Sequence, residues 1–113
     1  MPSFSQGDVI RVPFPYTDRP VRQHRPAVVI SKGAIGQGNG LLWVAMITSA
    51  ENRAWPGDVS LGDFYREAEL PAPSVILPCK LATIEIRHAE PLGHISVASM
   101  RQVMKILRQY FGI

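Results

Sequence analysis

The chain has one cysteine, Cys79, among its 113 residues, and therefore cannot form an intrachain disulfide. Such a chain is typical of a reducing compartment, so the sequence predicts a cytoplasmic protein. The segment PCKLA around the cysteine offers no base that would favour the thiolate. We therefore predict that Cys79 is a buried structural thiol and not a nucleophile.

Long hydrophobic runs are also missing. None approaches the roughly 18 residues that a membrane-spanning helix needs. The opening residues, MPSFSQGD, lack both the basic and the apolar region of a signal peptide. The sequence predicts no membrane partner.

Side chains that bind metals or phosphates are few and dispersed. His24, His88 and His94 lie far apart, and no HxH, HExxH or CxxC spacing occurs. The stretch GQGNG has neither the lysine nor the following helix of a phosphate-binding loop. We therefore expect neither a metal nor a cofactor.

What the chain does contain suits one compact domain, residues 1–113. A hydrophobic content of 46% and a charged content of 19% are typical of a globular protein. The net charge of +3 is a mild bias, but the segment DRPVRQHR concentrates several positive charges in one loop. A local basic loop raises the prospect of a polyanionic partner.

Short apolar segments separated by turn residues occupy most of the chain. Proline and glycine are scattered between them and act as turn residues. This pattern predicts a mainly β protein, a small antiparallel barrel. The predicted strands are residues 9–14, 27–31, 41–48, 59–61, two short strands within 74–85 separated at Pro78, and the segment LGHIS.

The C-terminal segment changes to helical periodicity. Ser96 is the predicted N-cap, and Gly112 is placed to end the helix. Apolar residues recur at i, i+3, i+4 and i+7, which predicts a helix packed on the barrel. This apolar stripe consists of Met100, Val103, Met104, Leu107, Tyr110 and Phe111. A second, basic stripe, predicted to be solvated, consists of Arg101, Lys105 and Arg108.

Two side chains could act together at the ends of predicted strands. Arg25 stands at the start of one strand, and Thr48, followed by Ser49, ends the next long one. Because adjacent antiparallel strands bring the start of one close to the end of the other, Arg25 is expected beside Thr48. A guanidinium with a neighbouring hydroxyl suits a phosphodiester, since both donate hydrogen bonds to phosphate oxygens. An arginine beside a proline and a Thr-Ser turn are also common surface features without function.

Several segments, in this order along nearly the whole chain, resemble the MazF/PemK family of toxins from type II toxin–antitoxin systems. The segments are GDVIRVPFPYTD, RQHRPAVVIS, MITSA, WPGDVSL, SVILPCKLATIE and LGHIS followed by a helix. The resemblance implies an SH3-like barrel with a C-terminal helix, a homodimer, and metal-independent endoribonuclease activity that cleaves single-stranded mRNA at specific sequences. It also implies a cognate antitoxin that covers the RNA site.

The resemblance assigns roles to particular residues. Arg25 matches the catalytic arginine of the family, and Thr48 matches the catalytic threonine. The residues implied to bind RNA are Tyr16, Thr17, Asp18, Arg19, Arg22, Gln23, His24, Ser49 and Lys80.

The general base is left open. Arginine is always protonated, so Arg25 suits an electrostatic clamp better than a base. Histidine titrates near neutral pH, but strand alternation would direct His24 away from Arg25. Asp18 or a water-mediated route ranks above it. Tyr16 and Trp55 can stack on unpaired bases, although Trp55 can equally fold onto the barrel.

The chain departs from the family pattern at a few positions. Glu69 replaces a frequent glycine, which predicts a different turn, and Leu77 and Pro78 replace polar residues, which predicts an altered cleavage preference. Two other functions stay open at this point. One is a toxin of the CcdB type, which poisons DNA gyrase, and the other is a barrel that binds RNA or protein without catalysis.

Overall fold

The computed structural model describes residues 3–14, 23–52 and 57–113. These residues form six strands and one α-helix, in the order β1 (Asp8–Phe14), β2 (Gln23–Val29), β3 (Leu41–Ser49), β4 (Val59–Ser60), β5 (Ser74–Glu85), β6 (Glu90–His94) and α1 (Val97–Phe111). A 3₁₀ helix, Gly62–Arg66, lies between β4 and β5. In the described ranges, no helix is long and apolar enough to cross a membrane.

The strands form one curled sheet in the order β4-β5-β3-β2-β1-β6, with antiparallel pairing throughout. The central strands carry the longest apolar runs of the sequence. Such strands are stable only when both faces are covered. The mainly β fold with a C-terminal helix that the sequence predicts is confirmed.

The alternation of side chains along the strands builds two hydrophobic clusters, one on each face of the sheet. On the face that α1 covers, here called the helix-side face, Val28 and Ile47 pack with Val103 and Leu107 of the helix. On the opposite, far-side face, Val29 belongs to a separate cluster. The buried far-side residues are Phe4, Ile10, Val12, Ala27, Val29, Leu42, Val44, Met46, Val75, Leu77, Ile84 and Ala89.

Both predicted ends of the helix are confirmed. The Ser96 hydroxyl accepts a hydrogen bond from the Ser99 amide at 3.0 Å, and Gly112 adopts a left-handed conformation with φ 78°. The apolar stripe is buried only in part, because Tyr110 and Phe111 in the last turn are exposed. The basic stripe is solvated as predicted.

Strand β2 begins at Gln23 and not at Ala27 as the sequence predicts. Its first residues are polar because they pair with β1 alone; the β3 ladder reaches only Ala27, Val28 and Val29. Pro26 is tolerated because the amide hydrogen that it lacks has no partner on the β3 side. Arg25 is therefore the third residue of a strand and does not stand at its entrance.

Strand β5 is a single strand of 12 residues, so the prediction of two short strands is wrong. The predicted irregularity at Pro78 is present as a bulge. Leu77 pairs with Met46 and Leu81 with Ala45, and the three residues between Leu77 and Leu81 have no counterpart in β3. Bulges of this kind re-aim side chains and bend a strand without ending it.

Two expectations about single residues also change. Cys79 lies in the bulge and is exposed, so the prediction of a buried thiol is wrong. Glu69 has φ 59°, a left-handed conformation that glycine adopts most easily. The glutamate thus occupies a conformation that suits the glycine it replaces.

Candidate active site

Arg25 and Thr48 lie on neighbouring strands of the sheet. The β2–β3 register pairs Ala27 with Met46 and Val29 with Val44. Continued by two residues past Ala27, this register brings Arg25 opposite Thr48. Directly opposite residues of an antiparallel pair have Cβ atoms about 4.5–5.5 Å apart where the ladder continues.

The ladder between β2 and β3 stops just before these two residues. Each strand continues on its other side, where Arg25 pairs with Val12 of β1 and Thr48 pairs with Val75 of β5. At these positions the backbone of β2 is thus paired with β1, and the backbone of β3 is paired with β5.

Both side chains belong to the far-side face. Arg25 precedes Ala27 and Val29 by two and four residues on β2, and Thr48 follows Met46 by two residues on β3. Even spacing along a strand places side chains on the same face, and Ala27, Val29 and Met46 all lie in the far-side cluster. Arg25 and Thr48 are themselves partly buried. A guanidinium and a hydroxyl therefore lie at the rim of an apolar cluster, where a hydrogen bond to an anion is stronger than in open water.

The flanking residues Val12 and Val75 were not identified from the sequence. Val12 is fully buried and Val75 is 7% exposed, so each holds its strand firmly against the cluster. The pairing of Thr48 with Val75 joins residues far apart in the chain. Hydrophobicity in the segment SVILP was the one signal available, and it does not reveal the register.

Ser49 and His24 occupy the other face of their strands. Ser49 pairs with Ser74 and alternates away from Thr48. His24 is exposed and pairs with Pro13. Since β2 already includes Gln23, strand alternation holds at His24 and directs it away from Arg25. The structure thus separates these two candidates from the Arg25–Thr48 face.

Lys80 lies in the β5 bulge and is exposed. Its chain neighbour Leu81 pairs with Ala45, three residues from Thr48 along β3. Three residues of a strand span about 10 Å. An extended lysine near the bulge is therefore within reach of a ligand that crosses Thr48, but not of Thr48 itself.

The predicted RNA-binding loop lies largely outside the described residues. This holds for Tyr16, Thr17, Asp18, Arg19, Arg22 and also for Trp55. The ends of the loop are defined, because Phe14 pairs with Gln23 as the last pair of the β1–β2 ladder. The connection 15–22 thus leaves the sheet two residues beyond Arg25.

Within the part of the chain that the structure describes, no three or more His, Cys, Asp or Glu side chains are grouped to hold a metal ion. The side chains of Arg25 and Thr48 offer a guanidinium and a hydroxyl, neither of which is a usual ligand for a divalent cation. Both groups can donate hydrogen bonds to phosphate oxygens. Such a pair can bind an anion.

The fold resembles those of several solved toxins. MazF from Deinococcus radiodurans has a TM-score of 0.78 and 24% identity, with 100% of both chains covered. A MazE–MazF structure from the same organism has a TM-score of 0.75 and 23% identity, covering 100% of this chain and 99% of the other. An endoribonuclease in complex with its cognate antitoxin, from a mycobacterial species, has a TM-score of 0.73 and 18% identity, covering 97% and 96%.

At such identities the structural likeness establishes the fold alone. No curated protein matches the chain. The sequence profile of the PemK-like, MazF-like toxins, however, matches residues 5–111. This match spans nearly the whole chain, so the protein belongs to the PemK-like, MazF-like toxin family of type II toxin–antitoxin systems.

Proposed function

We propose that this toxin is an endoribonuclease that cleaves single-stranded mRNA at specific sequences without a metal ion. The proposal is supported above all by the β2–β3 register, which aligns Arg25 with Thr48 when it is continued two residues past Ala27. Family membership supports the same activity, because toxins of this family act on RNA. Arg25 and Thr48 are the proposed catalytic residues.

The proposed reaction uses the RNA's own 2′-hydroxyl as the nucleophile. The 2′ oxygen forms a bond to phosphorus and gives up its proton to a base, and the bond to the 5′ oxygen breaks as that oxygen takes a proton. The products are a 2′,3′-cyclic phosphate and a 5′-hydroxyl. Negative charge builds on the non-bridging phosphoryl oxygens along the way, so fixed donors there stabilise the transition state more than the substrate.

In this reaction Arg25 and Thr48 supply those donors. The planar guanidinium of Arg25 gives two parallel hydrogen bonds to phosphate oxygens, and the Thr48 hydroxyl gives a third. Neither side chain is a suitable general base. Asp18 or a water molecule is the preferred candidate for that role, ahead of His24, whose strand position turns it to the other face.

RNA is proposed to reach this site along the connection 15–22 and the β5 bulge. The loop supplies Tyr16, Thr17, Asp18, Arg19, Arg22 and Gln23, with Tyr16 available for base stacking. Lys80, in the β5 bulge, provides a point charge on the side of Thr48 that is away from this loop. Single strands suit such a site because their bases are free to be splayed and read.

The proposed partners are the mRNA substrate, a cognate antitoxin and a second copy of the chain. Solved relatives include MazE–MazF structures and an endoribonuclease in complex with its cognate antitoxin. An antitoxin that covers Arg25 and Thr48 would keep a phosphate from reaching them. The cytoplasm is the compartment in which all three partners meet.

The test is cleavage of a defined single-stranded RNA in the presence of EDTA. The unaltered protein is expected to cut, and Arg25→Ala and Thr48→Ala are each expected to slow cutting by roughly 10²–10³, the usual cost of one transition-state donor. Arg11→Ala is the matched control. Arg11 is an exposed arginine on the adjacent strand β1, and its alternation places it on the face opposite Val12.

Intact RNA after incubation with the unaltered protein would overturn the proposal, as would undiminished cutting by both site variants. Circular dichroism and thermal melts confirm that each variant is folded. Accumulation of cleaved DNA with gyrase would instead identify a toxin of the CcdB type. Binding of RNA without cleavage would identify the non-catalytic alternative.

A further inference from the structure

The outer face of helix α1 carries a concentrated positive charge. Its basic stripe, Arg101, Lys105 and Arg108, lies in a helix that contains no acidic residue. The chain has 12 lysines and arginines and 9 acidic residues, so without these three cations it would be neutral. The helix therefore accounts for the whole net charge of the molecule.

The three cations lie in a line along one side of a rigid element. With a rise of 1.5 Å per residue and 3.6 residues per turn, the stripe extends about 10 Å along the helix and covers about 60° of its circumference. Val103 and Leu107, on the opposite side of the helix, are 0% and 2% exposed within the core. The core thus fixes the rotation of α1 and holds the cations at a constant spacing in solvent.

No carboxylate neutralises this line. In the described ranges, none of the three cations forms an ion pair. Gln102 and Gln109 are also exposed, and they line a cleft together with Lys105. A helix face that serves only solubility usually mixes charges of both signs. This face presents cations and amides, all of which donate hydrogen bonds.

The positive charge is confined to a narrow band. Asp8 shares a cleft with Arg101 on one flank of the helix, and Asp58 shares a cleft with Lys105 on the other flank. The band between these carboxylates is about as wide as one helix, about 10–12 Å with its side chains. Such a band suits one line of negative charges better than a broad acidic protein surface.

We propose that this outer face of α1 binds the phosphate backbone of duplex DNA, independently of its sequence. Arginine, lysine and glutamine side chains are among those that contact phosphate oxygens, and such contacts carry no sequence information. A duplex matches a rigid line of cations, because its own charges are closely and regularly spaced, about one per 1.7 Å of axis. The major groove of B-form DNA, about 12 Å wide, admits a helix, whereas that of duplex RNA is narrow.

This surface goes beyond the proposed nuclease site and is separate from it. The helix covers the helix-side face, whereas Arg25 and Thr48 belong to the far-side face. A toxin that is held on DNA by α1 therefore leaves Arg25 and Thr48 open to single-stranded RNA. The two surfaces bind different forms of nucleic acid.

Fluorescence anisotropy of a labelled duplex DNA, measured with the unaltered protein in EDTA, tests the surface. Three phosphate contacts predict a slope of log affinity against log salt of about −2.7, which makes binding about 40-fold weaker at 200 mM than at 50 mM salt. Replacing Arg101, Lys105 and Arg108 together with glutamine should lower the affinity at 50 mM salt more than tenfold and remove most of the slope. Glutamine is a good helix former, so α1 should stay folded, which circular dichroism checks.

Replacing Arg11, Arg66 and Arg87 together with glutamine is the matched control. These arginines are exposed, lie outside α1 and carry the same total charge, so this variant also has a net charge of zero. It should bind the duplex within about threefold of the unaltered protein, because the contacts of α1 remain. An equal loss in both variants would show that only net charge matters and would overturn the proposal.

Competitors identify the ligand. Duplex RNA of the same length should displace the labelled DNA about fivefold less well than unlabelled DNA does. Polyglutamate at equal total charge should compete still less. Equal competition by duplex RNA would assign the face to RNA, and equal competition by polyglutamate would assign it to an acidic protein. Either result would overturn the proposal.

The outcomes also separate this surface from the proposed activity. Absence of binding to the duplex at about 100 μM protein in 50 mM salt, together with cleavage of RNA, would overturn the surface and leave the nuclease in place. Binding to the duplex that depends on α1, in a protein that leaves RNA intact, would support the surface and overturn the nuclease.

Discussion

At the scale of single residues, the candidate site depends on how strands β2 and β3 pair with their other neighbours in the sheet, β1 and β5. Arg25 pairs with Val12, and Thr48 pairs with Val75, both of them buried apolar residues. The strands that carry the two donors are thus held in place by these neighbours. Donors whose positions are set before the substrate arrives need no reorganisation during the reaction, which makes them effective in catalysis.

The proposed role of Thr48 predicts a difference between two conservative replacements. Thr48→Ser keeps a hydroxyl and should retain the cleavage rate within about tenfold, whereas Thr48→Val keeps the shape and should lose about 10²–10³ in rate. The reason is that only the hydrogen bond to the phosphate is removed in the valine variant. Single-turnover cleavage of a defined RNA, with enzyme in excess, measures the chemical step directly.

The valine variant also distinguishes chemistry from packing. Valine matches the β-branched shape that threonine has within β3, so the fold should survive and the melting temperature should change little. Equal activity in the serine and valine variants would remove Thr48 from the proposed mechanism. Loss in both, with an unchanged fold, would mean that both the hydroxyl and the methyl group of Thr48 are required.

At the scale of elements, β6 packs closely against the segment that follows the 3₁₀ helix Gly62–Arg66. A Cβ atom at Gly93 would overlap the Glu67 carbonyl oxygen and lie 2.7 Å from the Ala68 carbonyl carbon. The backbone of Ala68 is fully buried with its side chain, and the His94 amide donates to the Glu67 carbonyl at 3.3 Å. Glycine is needed at Gly93 because two backbones meet there.

We therefore predict that Gly93→Ala lowers the free energy of unfolding by about 2 kcal/mol, in the range typical of overpacking. Neither backbone can move without breaking the contact between β6 and the 3₁₀ segment. Urea titration followed by circular dichroism gives the free energy. Cleavage per folded molecule should change little, because the contact is remote from Arg25 and Thr48.

Gly40→Ala is the control for this effect. Gly40 has φ −99°, and a Cβ atom there would meet nothing closer than the Gln37 carbonyl oxygen at 3.8 Å. Its replacement should shift stability by less than about 0.5 kcal/mol, as is usual for surface substitutions. Similar losses at both positions would contradict the assignment of a close backbone contact to Gly93.

The elements also show how far the sequence alone could predict the fold. Apolar segments between turn residues marked the sheet, but β5 was predicted as two strands, and β6 was predicted as LGHIS although it spans Glu90–His94. The caps Ser96 and Gly112 defined the helix to its ends. The polar start of β2 was missed because hydrophobicity does not mark residues that pair on one side only. Pro78 suggested a break in β5, but the strand continues because a bulge accommodates the proline.

Exposure and register were harder to predict than the presence of strands. Cys79 was expected inside because PCKLA offers no base that would favour the thiolate, yet it lies in the bulge and is exposed. The alignment of Arg25 with Thr48 was predicted from adjacency in the sheet, and it stays a prediction because the observed β2–β3 pairs end at Ala27 and Met46. The neighbours Val12 and Val75 could not be predicted, since register between distant segments is decided by the packing of the whole core.

At the scale of the whole molecule, the sheet separates the basic stripe of the helix from the candidate site. The basic stripe Arg101, Lys105 and Arg108 is exposed on α1, which packs on the helix-side face. Arg25 and Thr48 belong to the far-side face. The net charge of +3 is too small to create a strong general field, so local cations should govern RNA binding.

Replacing Arg101, Lys105 and Arg108 with glutamine tests this separation. The triple variant removes three positive charges and takes the net charge from +3 to zero, yet it should bind and cleave RNA within about twofold of the unaltered protein.

Replacing Arg19 and Arg22 with glutamine removes only two charges but should weaken RNA binding much more. It should also reduce the slope of log affinity against log salt by about 1.4, because each lost phosphate contact on single-stranded RNA contributes about 0.7. Fluorescence anisotropy of a labelled RNA on the Arg25→Ala background, which should slow cleavage by roughly 10²–10³, gives both slopes. A larger loss in the helix variant than in the loop variant would mean that RNA follows α1 and that the binding surface lies on the helix-side face.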